Sequence, residues 1–173
     1  MGRVTLPRPL IETDDRARFD CGQNSLNHWF QRHAWNNQVE NISRVSVICD
    51  KVTGDIAGFV TLSSTHIQRA HLPKSYQRHK PDPVPVTLLG QLAVHMDYQG
   101  EGHARALLLF ALRTAFRASQ EIASFGVLTH PIDNEARAFY LRWGFEDLSS
   151  DPHHAMIVRM VDLEKSGIIP DRP

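Results

Sequence analysis

The chain has 173 residues, a length that suits one domain and buries roughly 70% of the unfolded surface without staples. Nineteen basic and nineteen acidic residues cancel, and ten histidines add positive charge only under mildly acidic conditions, so bulk charge announces no nucleic-acid partner and any such claim must rest on local patches. Cys21 and Cys49 make no disulfide framework and sit in no metal-ligand spacing. No apolar run approaches the ~18 residues of a membrane span. Residues 1–20 mix Arg3, Arg8, Glu12, Asp14 and Asp15 and lack the apolar centre of a signal peptide. A cytoplasmic protein of bacterial style, with no membrane partner, is expected.

Taken in order, residues 3–11 read as a short edge strand limited by Pro7 and Pro9. Residues 12–20 are polar and read as loop. Asn24 or Ser25 is placed to cap a helix running to about Val39, in which Leu26, Trp29, Phe30 and His33 fall at i, i+3, i+4 and i+7 to form one apolar face. Residues 44–50 read as a strand, Thr53-Gly54-Asp55 as a turn and residues 56–62 as the returning strand of a hairpin. In residues 66–85, Pro81, Pro83 and Pro85 argue against regular helix or inner strand. A loop of this length inside a compact domain is usually functional or mobile. It carries Arg69, Lys74, Arg78 and Lys80, and no acid occurs between Asp55 and Asp82.

A buried strand beginning at Val86 or Thr87 ends at Val94, and a helix over residues 103–120 follows, with Ala106, Leu107, Phe110, Ala111, Thr114 and Ala115 near a 3.6 period. Residues 123–128 read as a strand. Asp133-Asn134 caps a helix through about Trp143, and Gly144 ends it at the C′ position. Residues 145–148 and 155–161 make a closing strand pair. The reading is a single domain over residues 1–162 and a polar, flexible tail over residues 163–173. The order β-α-β-β-loop-β-α-β-α-β-β suits an α+β domain with a mixed, mostly antiparallel central sheet flanked by helices.

The stretch around which this order is organised is residues 90–105. A strand runs into a turn with Gly100 and Gly102, and a helix begins at once. The first amides of a helix lack intrahelical acceptors and sit at the positive end of its dipole. Glycine lets an anion approach the backbone, so a phosphate-bearing ligand is expected here. The Walker pattern is absent. The dinucleotide fingerprint fails because Arg105 stands where its third glycine belongs and no parallel β-α-β series surrounds it. On these residues alone a ligand-free strand-to-helix turn is the plain alternative.

Gln99-x-x-Gly102-x-Ala104, preceded by Leu92-Ala93-Val94, resembles the acyl-CoA signature of the GNAT N-acetyltransferase superfamily. A second and more specific resemblance lies in residues 133–145, where Asn134-x-x-Arg137-Ala138-Phe139-Tyr140 leads to Gly144-Phe145. The resemblance implies the GNAT fold and acetyl-CoA as cosubstrate. It implies that Leu92, Ala93, Val94, Gln99, Gly100, Glu101, Gly102, His103, Ala104, Arg105, Asn134, Phe139 and Tyr140 bind it. It also implies that the Tyr140 phenol faces the thioester sulfur and protonates it as a general acid. An unperturbed phenol keeps its proton at neutral pH. The alternative for Tyr140 is a core aromatic, a role that Phe139 fits better. No general base is assignable among His95, Asp97, Glu101 and His103, and an α-amine is partly neutral near pH 7 without one. No metal is expected: His153 and His154 diverge in a turn, and His28 and His33 are five apart rather than the i, i+4 of a two-histidine face.

Within the superfamily the chain resembles the TacT/AtaT-type toxins of type II toxin–antitoxin modules, in Phe19–Gly22 leading to Leu26-Asn-x-Trp29-Phe30, in Pro81–Val86 leading to Leu89–Val94, and in the two motifs above. The resemblance implies acetylation of the α-amine of an aminoacyl-tRNA and a block of translation. It further implies neutralisation by a ribbon-helix-helix antitoxin, operator DNA binding only as the toxin–antitoxin complex, and a homodimer. For a tRNA substrate, Arg69, Lys74, Arg78, Lys80, Arg137 and Arg142 are the candidate phosphate contacts; the alternative is a solvated basic loop. Two other functions stay open: an acetyltransferase for a small amine, peptide N-terminus or protein lysine, and a non-catalytic acyl-CoA-binding regulatory partner.

Overall fold

The computed structural model describes residues 2–169. Its elements are β1 (Arg8–Pro9), α1 (Asn24–Val39), β2 (Arg44–Cys49), β3 (Ile56–Ile67), α2 (Lys74–Gln77), β4 (Val84–Val94), α3 (His103–Ser119), β5 (Gly126–Thr129), α4 (Asn134–Arg142), β6 (Glu146–Asp147), β7 (Met156–Arg159) and α5 (Met160–Lys165). The strands form one seven-stranded sheet in the order β1-β2-β3-β4-β5-β7-β6. β4 and β5 run parallel, while β1–β2, β2–β3, β5–β7 and β6–β7 are antiparallel. This is the mixed, mostly antiparallel sheet expected of the α+β reading. The chain divides into two compact units, one of the residues up to Ser63 with Gly90–Ala111, the other of Ser64–Leu89 with the residues from Leu112 onward.

In the first unit the β2–β3 hairpin forms as expected, with Val45 opposite Thr61 and Val47 opposite Phe59. Its core is aromatic: the Phe30 ring stacks on Phe59 at 4.3 Å, and Phe19 packs against both at 4.9 and 5.3 Å. Leu10, Ala34, Val45, Val47 and Ala93 complete the cluster. α1 buries Phe30, Ala34 and Gln38, a stripe at i, i+4 and i+8, whereas His33 is exposed. Leu26, Trp29 and Phe30 of the expected face do pack on this core, and only His33 of that face lies outside it, the stripe continuing instead through Ala34 and the polar Gln38. Its carboxamide accepts from Val45 N at 2.9 Å and donates to the Leu10 and Val45 carbonyls. Neither Asn24 nor Ser25 caps α1. The cap position is Gln23, without a side-chain bond, and Asn27 and Asp20 instead fasten the entering loop through Cys21 N and Gly22 N.

In the second unit the core comprises Ile67, Leu72, Val84, Val86, Leu128, Leu148, Ala155 and Ile157, with Tyr76 and Phe125 packed against it. Residues 66–85 are not a plain loop: β3 continues to Ile67, Arg69–His71 form a 3-10 turn, Lys74–Gln77 form α2, and β4 begins at Val84. Pro85 lies inside β4 despite lacking an N–H, and its carbonyl accepts from Phe125 N at 2.9 Å. β5 starts three residues later than the pattern suggested. A Cβ on Gly126 would stand 2.5 Å from the Val158 carbonyl oxygen, so close pairing with β7 demands glycine there. β7 ends at Arg159, and Met160 and Val161 begin α5 instead of continuing the strand. The tail expected from Leu163 is helical as far as Lys165, with Leu163 fully buried; residues 170–173 lie outside the described residues.

α3, expected over residues 103–120, buries Leu107, Leu108, Ala111, Leu112, Ala115 and Phe116. Ala106 is exposed, so the buried stripe lies about one residue beyond the expected one. Among the described residues no helix is long and apolar enough to cross a membrane. Replacing Phe30, which is wholly inaccessible and stacked on Phe59, leaves a cavity that the sheet cannot close. Phe30→Ala is expected to lower stability by about 3–5 kcal/mol, read as a fall in the urea midpoint; an unchanged midpoint would contradict this packing.

Candidate active site

The turn between β4 and α3 belongs to the first unit. Gly100 and Gly102 have φ of 79° and 84°, in the left-handed region, and a Cβ on either would meet nothing within 4 Å. Glycine is therefore required by the backbone bend, and the space beside it is open. Ala106 N donates to Gly102 O at 3.2 Å, which leaves the amides of His103, Ala104 and Arg105 ahead of the intrahelical ladder. Gln99 works from the other side. Its Nε2 donates to Val94 O at 2.9 Å and to Cys21 O at 3.1 Å, folding the turn back onto the end of β4. His103 Nε2 lies 3.0 Å from Glu101 Oε2, and Glu101 also approaches Arg3 at 3.6 Å. Arg105 is exposed, whereas Ala93 and Val94 are buried at the end of the strand.

The turn is anchored by a residue that the sequence reading did not single out. The buried Asp50 carboxylate accepts from Val52 N at 2.8 Å, Thr53 N at 3.1 Å, Tyr98 Oη at 2.9 Å and Arg3 Nε at 3.1 Å. The Arg3 guanidinium also lies 4.1 Å over the Tyr98 ring. These bonds, led by the two backbone amides, hold the Asp50 carboxyl down to about 2. Tyr98 immediately precedes Gln99, so a buried charge–phenol bond fixes where the turn starts. His95 Nδ1 accepts from Asp97 N at 3.1 Å, which puts the proton of a neutral ring on Nε2.

In the second unit, Asp133 caps α4 as expected: its carboxylate accepts from Ala136 N at 2.8 Å, and Gly144 follows the helix with φ 91°. Tyr140 is buried, and its ring packs on Phe139 at 5.3 Å and Phe145 at 5.2 Å. Phe139 is only half-buried, so Tyr140, not Phe139, takes the interior position. Burial pushes the Tyr140 phenol up to about 12, opposed by a hydrogen bond with Thr129. The expected unperturbed value is thus corrected upward. The Thr129 hydroxyl in turn donates to Leu89 O at 3.0 Å. β4 and β5 pair from Thr87–Val127 to Leu89–Thr129, where β5 ends. Asn134 is exposed at the first turn of α4.

The six basic candidates all fall in this second unit. Lys74, Arg78 and Arg142 are exposed. Arg69 is exposed and braces the segment, donating from its guanidinium to Lys80 O at 2.9 Å and from its backbone N to Asp82 at 3.0 Å. The Lys80 ammonium lies 5.3 Å over the Phe125 ring. Arg137 is ion-paired with Asp147 of β6, which commits much of its charge to structure. Among the described residues no group of three or more His, Cys, Asp or Glu could hold a metal ion.

The mixed sheet, the glycine turn that opens α3 in the first unit and the capped helix with its buried phenol in the second are each features of an acyl-transferring α+β enzyme of the CoA-dependent class. The chain belongs to the acetyltransferase (GNAT) domain family, whose model matches residues 41–147. It is 36% identical to a tRNA-acetylating toxin of Mycobacterium tuberculosis over 91% of this chain and 94% of that protein. It is also similar to AtaT complexed with acetyl-methionyl-tRNAfMet, at TM-score 0.86 and 27% identity, over 94% of this chain and 98% of that one. A crystal structure of AtaTR bound with AcCoA superposes at TM-score 0.83 and 27% identity, over 96% and 99% of the two chains.

Asp50 supplies a pH test of the anchor. Its folded value of about 2 lies below the ordinary 3.8; its contribution is therefore complete above the unfolded value and lost as pH falls through the folded one. The urea midpoint of the wild type is expected to drop between about pH 4 and pH 2. Asp50→Asn should have a lower midpoint near neutrality and a flatter profile across that window; parallel profiles would remove Asp50 from the anchor.

Proposed function

We propose that this protein is an acetyl-CoA-dependent N-acetyltransferase that acetylates the α-amino group of an aminoacyl-tRNA and thereby blocks translation. The reading is carried by one observation: an exposed basic segment and the helix that bears the buried phenol are fastened to the same short strand, β6, through Tyr76–Glu146 and Arg137–Asp147, in a chain 36% identical to a tRNA-acetylating toxin. On this reading the chain acts as one catalytic domain in the cytoplasm. A ribbon-helix-helix antitoxin neutralises it, the pair binds operator DNA, and the toxin itself is a homodimer. The presence of AcCoA on AtaTR supports the cosubstrate.

The residues suit that cosubstrate. The amides that open α3 and the clear space beside Gly100 and Gly102 receive the pyrophosphate, with Gln99 holding the turn in place. Arg105, exposed on the first turn of α3, adds positive charge at the same end. By the resemblance to the family, backbone groups at Leu92, Ala93 and Val94 in the first unit are assigned to the pantetheine arm and thioester carbonyl, and Asn134 and Phe139 in the second are assigned to the thiol end. Glu101 and His103 shape the turn through their mutual contact.

The substrate amine then forms the new C–N bond at the thioester carbon as the C–S bond breaks. Tyr140 keeps its proton throughout the physiological range, so its phenol is available to donate to the departing sulfur. The amine proton leaves to solvent, and the phenolate regains a proton from it. Lys74, Arg78, Arg142 and Arg69 offer charge to RNA phosphates, while Lys80 and Arg137 serve chiefly to hold the segment and α4. The exposure of Lys74 and Arg78 favours a polyanionic acceptor over a small amine.

The test is transfer of labelled acetyl from acetyl-CoA to total charged tRNA. Wild type is expected to label the aminoacyl end, and Tyr140→Phe to lower kcat by about 100-fold or more. Labelling of free amines but not of charged tRNA would move the protein to the small-amine class. Equal biological effect from wild type and Tyr140→Phe would favour a non-catalytic regulator.

A further inference from the structure

The basic segment cannot hold its own shape. α2 has four residues, far below the length at which a helix is stable alone, and Lys74, Arg78 and the nearby Arg69 repel one another. Its position must come from what it touches. Leu72 supplies part of that by burial in the second unit's core, but a single apolar side chain is non-directional and leaves the helix free to turn.

Arg69 braces the segment from within and His71 approaches Asp151 at 3.5 Å, but the directional contacts that α2 itself makes outside the segment converge on Tyr76. Its hydroxyl hydrogen-bonds to Glu146 of β6. Its ring meets Phe125 edge-on at 6.2 Å and is covered by the Arg159 guanidinium at 4.1 Å. Arg159 is itself held by Asp162 through bonds of 2.8 and 3.0 Å. β6 is only Glu146–Asp147, and its other residue, Asp147, pairs with Arg137 of α4. Phe145, the residue before β6, packs on Tyr140. One two-residue strand therefore carries both the clasp of the basic segment and the clasp of the helix that bears the phenol.

Resting on the RNA-acetylating reading above, we infer that Tyr76 is a positioning residue for the nucleic-acid substrate. Through Glu146 it holds the exposed cations of residues 69–80 in one fixed array that RNA phosphates can meet. Tyr76 touches neither acetyl donor nor amine. Its loss acts on RNA capture and leaves the chemical step in place.

The measurement is steady-state transfer to purified charged tRNA with wild type, Tyr76→Phe, Lys74→Ala, Tyr76→Phe/Lys74→Ala and Glu146→Gln, with thermal midpoints beside it. Tyr76→Phe keeps the ring and its packing and removes only the hydroxyl. It is expected to raise KM for charged tRNA about 3- to 10-fold, the worth of one directional hydrogen bond, with kcat and KM for acetyl-CoA within about 2-fold of wild type. Glu146→Gln, whose carboxamide oxygen still accepts, should stay close to wild type. Lys74→Ala should weaken RNA capture less in the Tyr76→Phe background than alone, as expected for coupled residues. Wild-type labelling of charged tRNA with an unchanged KM in Tyr76→Phe would overturn the positioning role alone. A fall in kcat with KM unchanged would do the same, because the loss would then lie in turnover and not in RNA capture. Absence of label on charged tRNA with the wild type would remove the RNA-acetylating reading, and this inference with it.

Discussion

The parallel pairing of β4 with β5 stops at Leu89 and Thr129, and the seating of the candidate phenol depends on that stop. A strand that loses its neighbour leaves backbone groups without partners, and a buried carbonyl left so is costly. Thr129 resolves the problem with its side chain, donating to Leu89 O at 3.0 Å. Thr129 also stands beside the Tyr140 phenol and opposes the upward shift that burial gives it. The end of the pairing is thus where the phenol is seated, and β4 runs on to Val94 and the glycine turn without β5 beside it.

Each candidate part is held by a charge or dipole brought from far along the chain. Asp50 fixes Tyr98 and so the start of the glycine turn. Asp147 fixes Arg137 on α4, and Glu146 fixes Tyr76 on the basic segment. His71 approaches Asp151 at 3.5 Å. These are directional bonds laid over non-directional apolar cores, and they convert a packed domain into one whose side chains have defined positions. The basic segment illustrates the balance. Residues 66–80 lack acids, yet Asp82, Glu146 and Asp151 meet them in space, with Arg69, Lys74 and Arg78 exposed.

The two local motifs were legible because their signals are local. Gly100, Gly102 and Gly144 all adopt positive φ, a preference written in the residue type itself. The Asp133 cap uses a side chain and an amide three residues away. The hairpin, the helices containing residues 26–39 and 103–119, and the mixed sheet follow from periodicity. What periodicity misplaced was the facing of helices: His33 is exposed and Ala106 lies outside the buried stripe, because which side turns inward is decided by what packs against it. Pro85 and the strand around it were misread for a related reason, since a proline in β4 is tolerated where only its carbonyl is needed.

By itself the sequence determined the class of fold, the glycine turn, the cap of α4 and the tyrosine that stands at position 140. Those properties depend on residue type and short spacing. Only the tertiary structure decided that Tyr140 is interior and Phe139 is not, that burial raises its phenol, and that Asp50, Thr129 and Glu146 hold the working parts. Each of these rests on partners between 11 and 70 residues apart, and no local pattern can specify a bond whose two ends meet only after the chain has folded.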